Sequence, residues 1–230
     1  MLGQAGLLWQ IIYNRMKFKG IIFDLDGTLI NSLEDIADSM NKVLQDLNYP
    51  THSYDVFQYF IGSGLRNTVT KALPASNNSD DQIEICFERM VKVYSENCTL
   101  KTKPYEGIIE LLDNLVSKNI KLAVFSNKAD ELTKKITGEI FPEYFDASVG
   151  LSVESLKKPN PFEAIAISEK WGLKAEEIIF IGDSEIDMQT AVNANMFAVG
   201  VTWGYRTEEE LIASGAKLVI NHPSDLIKTL

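Results

Sequence analysis

Cysteine and histidine are almost missing from this chain, with two of each among its 230 residues. Cys86, Cys98, His52 and His222 are too few and too scattered to build a Cys/His zinc site. Two cysteines also fit a reduced, cytoplasmic protein better than a disulfide scaffold, and both histidines are expected on the surface. Positive charge is in short supply: 22 Lys and Arg stand against 32 Asp and Glu, a formal net charge of -10. Such a field disfavours nucleic acid and anionic membrane as partners, while local cations can still receive a small anionic substrate. Long apolar runs are lacking as well. The one in "MLGQAGLLWQIIYNR" is far shorter than the roughly 20 residues of a membrane span. It has neither a basic n-region nor a clear small-residue cleavage site, which argues against a signal peptide. Residues 1–15 are therefore read as an N-terminal extension, with a natural start at Met16 in "MKFKGIIFDLDGT".

What is present is an ordinary globular balance, 45% hydrophobic and 23% charged. Apolar runs at residues 20–24, 121–125, 178–181, 197–201 and 217–220 read as buried parallel strands, with a weaker one at 145–149. Helical periodicity covers residues 107–118, 161–171, 185–195 and 207–214. Strand and helix in alternation predict an α/β fold built on a doubly wound parallel sheet, a Rossmann-like core. The first strand breaks the rhythm, because a long helix-patterned stretch follows it. There, residues 32–47 begin at a cap-like Ser32 and place Ile36, Met40, Val43, Leu44 and Leu47 on one face. Residues 80–96 carry Ile83, Phe87, Met90 and Tyr94 in the same manner. The expected organisation is an α/β core of residues 16–32 and 102–230, interrupted by a helical cap at 33–101.

In an open parallel sheet, ligands bind beyond the carboxyl ends of the strands. The first strand ends in "IIFDLDGTLI", which supplies Asp24 and Asp26, one residue apart and so on one face of an extended chain. "KLAVFSNK" supplies Ser126 and Asn127, with Lys128 assigned to the helix that follows. "KKPNP" supplies Lys158, and "IIFIGDSEID" supplies Asp183 and Asp187. Singly, each is explained by a turn, a helix cap or a solvated surface. Four together at strand ends point to one crevice lined by carboxylates, a hydroxyl and a lysine. Oxygen-only acidic ligands suit a hard cation such as Mg²⁺.

"DLDGT", "SNK", "KKPNP" and "GDSEID", in that order around an early helical insertion, resemble the phosphatase branch of the haloacid dehalogenase superfamily. The resemblance runs from about Lys17 onward, and "FIGSGLRNTV" and "VTWGYR" are most similar to its phosphoglycolate phosphatase group. It implies Mg²⁺-dependent hydrolysis of a small phosphorylated metabolite through an aspartyl-phosphate. By resemblance, Asp24 is the nucleophile and Asp26 the acid/base, whose backbone carbonyl also helps hold Mg²⁺. Ser126 and Asn127 bind substrate, Ser126 through the phosphoryl oxygens. Lys158 neutralises nucleophile and phosphate, Asp183 ligates the metal, and Asp187 orients metal water or the lysine. Arg66, in the Gly-flanked "FIGSGLRN" read as a loop, is a candidate for a substrate carboxylate.

Elementary electrostatics agrees with these roles. A carboxylate approaching a phosphate dianion meets about 4 kcal/mol of repulsion per charge pair at ~4 Å and an effective dielectric of ~20. Cations must therefore intervene. The same motifs leave room for a pyrophosphatase, a sugar-phosphate phosphatase or a phosphomutase. The β-phosphoglucomutase branch, however, carries Glu where Gly182 stands here, and dehalogenases lack a counterpart of Asp26. A phospho-Asp signalling module would be about half the length and lack the insertion.

Overall fold

The computed structural model describes residues 18–229; the extension expected at 1–15 and the start at Met16 lie outside them. The strands are β1 (Gly20–Phe23), β2 (Ile30–Asn31), β3 (Lys103–Pro104), β4 (Lys121–Ala129), β5 (Ala147–Leu151), β6 (Ile178–Gly182), β7 (Phe197–Val201) and β8 (Leu218–Ile220). Six of them form one parallel sheet in the order β5-β4-β1-β6-β7-β8. All six expected apolar runs are strands of this sheet. β1 and β6 are buried at every position, the reason they read as unbroken apolar runs rather than as alternation.

The two faces of the sheet divide the core as the pleat requires. Ile21, Phe23, Leu122, Val124, Ile179 and Ile181 belong to one cluster, and Ile22, Ala123, Phe125, Ile178 and Phe180 to the other. Between β2 and β3 run helices α1 (Leu33–Asp46), α2 (Tyr54–Phe57), α3 (Leu65–Ala72) and α4 (Asp80–Asn97). The core helices are α5 (Ile108–Ser117), α6 (Asp130–Ile140), α7 (Phe162–Trp171), α8 (Glu185–Asn193), α9 (Glu208–Ala213) and α10 (Pro223–Thr229). Helices α5 and α6 contribute Ile108, Leu112, Leu132 and Ile136 to the first cluster, while α7, α8 and α9 contribute Ile167, Met188 and Leu211 to the second. Helices therefore cover both faces.

The chain enters and leaves the helical insertion through the antiparallel pair β2 and β3, with Ile30 opposite Pro104 and Asn31 opposite Lys103. Buried Asp35 of α1 ties the two ends together. Its carboxylate accepts from the Lys101 and Thr102 amides and from Thr102 Oγ1, at 2.7 to 3.1 Å. Inside the insertion, α1 buries Ile36, Met40, Val43 and Leu44, and α4 buries Ile83, Cys86, Met90 and Tyr94, each at helical spacing.

Four details depart from the sequence reading. Helix α10 was not foreseen. Nor was α3, which makes Arg66 helical rather than part of a loop. Strand β4 continues past residue 125 to Ala129, so Lys128 lies in the strand and not on the next helix. His52 is half-buried in the insertion, with Nε2 2.8 Å from Ala72 O and its amide donating to Asn41 Oδ1. Among the described residues, no helix is long and apolar enough to cross a membrane.

Candidate active site

Strand β1 is the place where the winding of the sheet reverses, with β4 and β5 on one side and β6, β7 and β8 on the other. The chain leaves it at Asp24, whose amide still donates to Ile181 O, and turns within three residues. Gly27 makes the turn at φ +91°, and a Cβ there would collide with the Asp183 carboxylate. Asp24, Asp26, Ser126, Asn127 and Lys128 all line one cavity beyond the strand ends, closed on its far side by Gly62, Leu65 and Tyr94 of the insertion.

Lys158 is buried and binds two carboxylates at once, Asp24 Oδ1 at 2.7 Å and Asp187 Oδ1 at 2.6 Å. Its backbone is fixed by Asn127, whose Oδ1 accepts from the Lys158 amide at 2.8 Å. The Asn127 Nδ2 donates to Lys158 O and to Gly62 O of the insertion. Both ends of this amide are thus used by backbone, so Asn127 holds Lys158 rather than standing ready for substrate. Ser126 is buried in the strand, and its Oγ accepts from the Lys128 amide at 3.2 Å.

Asp183 follows β6 and is also buried. Thr28 Oγ1 donates to its Oδ1 at 3.1 Å and the Tyr205 amide to its Oδ2 at 2.9 Å. Asp187 sits three residues into α8, where it forms a reciprocal cap with Ser184 while its other oxygen meets Lys158. Gly182 is required by this packing, since a Cβ on it would overlap the Asp187 side chain.

Asp24, Asp183 and Asp187 bring ligand oxygens within 4.8 Å of one another. Burial foremost pushes the Asp24 carboxyl up to about 7; Lys158 pulls it down, and Asp187 and Asp26 push it further up. Burial likewise raises Asp183 well above the carboxylate range, with Asp187 and Asp24 adding to the effect. Burial opposes the charge on Lys158, yet Asp187 and Asp24 more than offset it and hold the ammonium protonated. With all three carboxylates ionised, the one ammonium would leave two negative charges unbalanced among buried side chains.

The Asp26 carboxylate stands outside this cluster. Its Oδ1 accepts from Ser32 Oγ at 2.5 Å and its Oδ2 pairs with Lys128 Nζ at 3.1 Å. Ser32 does not use its hydroxyl to cap α1, as the sequence suggested. Arg66 departs furthest from expectation. Its guanidinium is exposed, held by Glu84 at 2.5 Å and 5.4 Å from the Phe87 ring centre, and it does not line the cavity around Asp24. Sequence reading missed Thr28, Ser32, Tyr94 and Lys128; a basic residue following Ser-Asn in a strand read to its end would have exposed the last.

The sequence matches the family model of haloacid dehalogenase-like hydrolases over residues 21–201. A phosphoglycolate phosphatase from Aquifex aeolicus is 36% identical over 211 residues, which cover 91% of this chain and 95% of that protein. One from Photobacterium profundum is 31% identical, covering 91% and 94%. A crystal structure of a predicted phosphoglycolate phosphatase from Haemophilus somnus superposes with a TM-score of 0.83 at 30% identity, covering 93% of this chain and 98% of that one.

Proposed function

The chain belongs to the haloacid dehalogenase-like hydrolases, and from that premise we propose that it is a Mg²⁺-dependent phosphatase of small phosphorylated metabolites, phosphoglycolate foremost. The observation that carries the reading is the uncompensated charge at Asp24, Asp183 and Asp187. Three buried carboxylates, of which only Asp24 and Asp187 meet a lysine, suit a divalent cation, and their all-oxygen donor set suits Mg²⁺. Asp24 and Asp183 would hold the ion, with Asp187 shared between it and Lys158. When bound, it supplies positive charge that lets an anionic phosphate approach an anionic nucleophile.

The remaining chemistry falls to the chain's own residues. An oxygen of Asp24 attacks phosphorus, the bond from phosphorus to the ester oxygen breaks, and Asp26 delivers a proton to the departing oxygen. Asp26, now a base, takes a proton from water. The resulting hydroxide attacks phosphorus, the bond to Asp24 breaks, and phosphate and the free carboxylate are restored. Ser126 donates to the phosphoryl oxygens and Lys158 keeps Asp24 oriented while balancing its charge. The insertion acts as a cap whose Gly62, Leu65 and Tyr94 exclude bulk water. The names of the Aquifex and Photobacterium relatives support phosphoglycolate as the first substrate to try.

The test is a panel of phosphate monoesters and pyrophosphate, assayed with Mg²⁺ and with excess chelator, on wild type and Asp24→Asn. Phosphate release that needs Mg²⁺ and vanishes in Asp24→Asn is expected. Full activity in chelator, or in the variant, contradicts the proposal.

A further inference from the structure

We propose that Lys128 is the positioning residue of the Asp26 carboxylate, and that the insertion governs it through Tyr94. Lys128 is only 6% exposed, and its ammonium has two named partners: Asp26 Oδ2 at 3.1 Å and Tyr94 Oη at 2.6 Å. A buried ammonium needs a counter-ion and satisfied donors, and here Asp26 is the counter-ion. The cation shared by Asp24 and Asp187 is a different lysine, Lys158. The backbone of Lys128 is pinned independently, the amide to Ser126 Oγ and the carbonyl to Thr133 Oγ1. Within the cavity it lines, the side chain is placed to hold Asp26.

Tyr94 comes from the insertion. It lies on α4 of the insertion, is fully buried, and has its hydroxyl kept protonated chiefly by that burial. The second oxygen of Asp26 is held by Ser32, where the chain crosses into the insertion. Both carboxylate oxygens are thus fixed by groups that belong to the insertion, flank it, or reach it through one hydrogen bond. Docking of α4 and orientation of Asp26 become one event: when α4 is seated, Lys128 is drawn between Tyr94 and Asp26 and the carboxylate is aimed. Proton transfer is sensitive to such aim, since a displacement of about 1 Å can cost ~100-fold in rate.

The inference rests on the acid/base role proposed for Asp26, so the experiment separates the two. It measures kcat/KM for 2-phosphoglycolate, an alkyl ester whose leaving oxygen needs a proton, and for p-nitrophenyl phosphate, whose leaving group needs little help. The proteins are wild type, Lys128→Met, Lys128→Arg and Tyr94→Phe, each with Mg²⁺. This parameter reports the step in which the ester bond breaks. We expect the alkyl-to-aryl ratio to fall at least about tenfold in Lys128→Met and in Tyr94→Phe, with partial recovery in Lys128→Arg. Tyr94→Phe removes one oxygen from a packed core, and it decides the matter if Lys128→Met does not fold. A purely structural role lowers both esters together, so an unchanged ratio in Tyr94→Phe overturns the inference. Absence of wild-type turnover on both esters overturns the phosphatase reading, and the inference with it.

Discussion

Removing the charge of the nucleophile is expected to make the metal-free protein more stable. Asp24 is 7% exposed, and its carboxyl, ordinarily titrating at 3.8, is raised to about 7 despite its bond to Lys158. Between those two pH values the unfolded chain has released a proton that the folded chain keeps, so stability falls as pH rises through the window and stays low above it. The full loss amounts to about 4 kcal/mol. Asn has the shape of Asp, retains an oxygen for Lys158 and never ionises. In excess chelator, Asp24→Asn should therefore exceed wild type by up to about 4 kcal/mol at pH 8, or ~10 °C in Tm for a chain of this size. At pH 5 the gap should shrink to less than half. Mg²⁺ should then narrow the gap at pH 8, since binding at 100 times Kd adds about 2.7 kcal/mol to wild type. Thermal or urea unfolding at both pH values, with chelator and with Mg²⁺, supplies every number. A variant less stable than wild type at pH 8 in chelator, or a gap that ignores pH, refutes the reasoning.

Three other substitutions probe the same site. Lys158→Met leaves Asp24 and Asp187 without a cation, and should cost ~3–5 kcal/mol in chelator and reduce turnover by about 10²–10³-fold, with unfolding and initial-rate assays as the check. Gly27→Ala forces a side chain to adopt φ +91° against Asp183, and should cost ~1–3 kcal/mol while raising the Mg²⁺ concentration needed for half-maximal rate; an unchanged Mg²⁺ titration would show that Asp183 tolerates the intrusion. Arg66→Ala removes an exposed pair with Glu84, so kcat/KM on phosphoglycolate should stay within about twofold and stability within ~1 kcal/mol, whereas a tenfold loss on that ester would restore Arg66 to substrate recognition.

The fold was legible because its strands are buried on both faces and need no partner to be recognised. Ile21, Ile22 and Phe23 are apolar in succession since each face of β1 meets a different core cluster. The residues at the strand ends were legible for a related reason: a carboxylate directly after such a run stands out, as Asp24 and Asp183 do. What escaped was anything decided by contacts between distant segments. Lys128 looked like the start of a helix because Asp130 and Glu131 open one two residues later, and only the pairing of Ala129 with Leu151 keeps the strand going. Ser32 looked like a cap, and no local pattern could say that Asp26 would claim its hydroxyl. Arg66 looked available because Glu84, its partner, lies on a different helix.

The same distinction explains why glycine precedes Asp183. β6 must deliver a carboxylate from its end while α8 begins immediately after, so Asp187 folds back against the strand to reach both Ser184 and Lys158. The space beside residue 182 is filled by that returning side chain. A glutamate there, as in the phosphomutase branch, cannot coexist with Asp187 in this position, because the collision begins at Cβ and no rotamer of the longer chain relieves it. The lysine that Asp187 holds would lose one of its two carboxylates, and Asp24 would be left to anchor it alone. Gly182 thus belongs to the electrostatics of the site: it makes room for the second anion that keeps a buried ammonium charged beside the nucleophile.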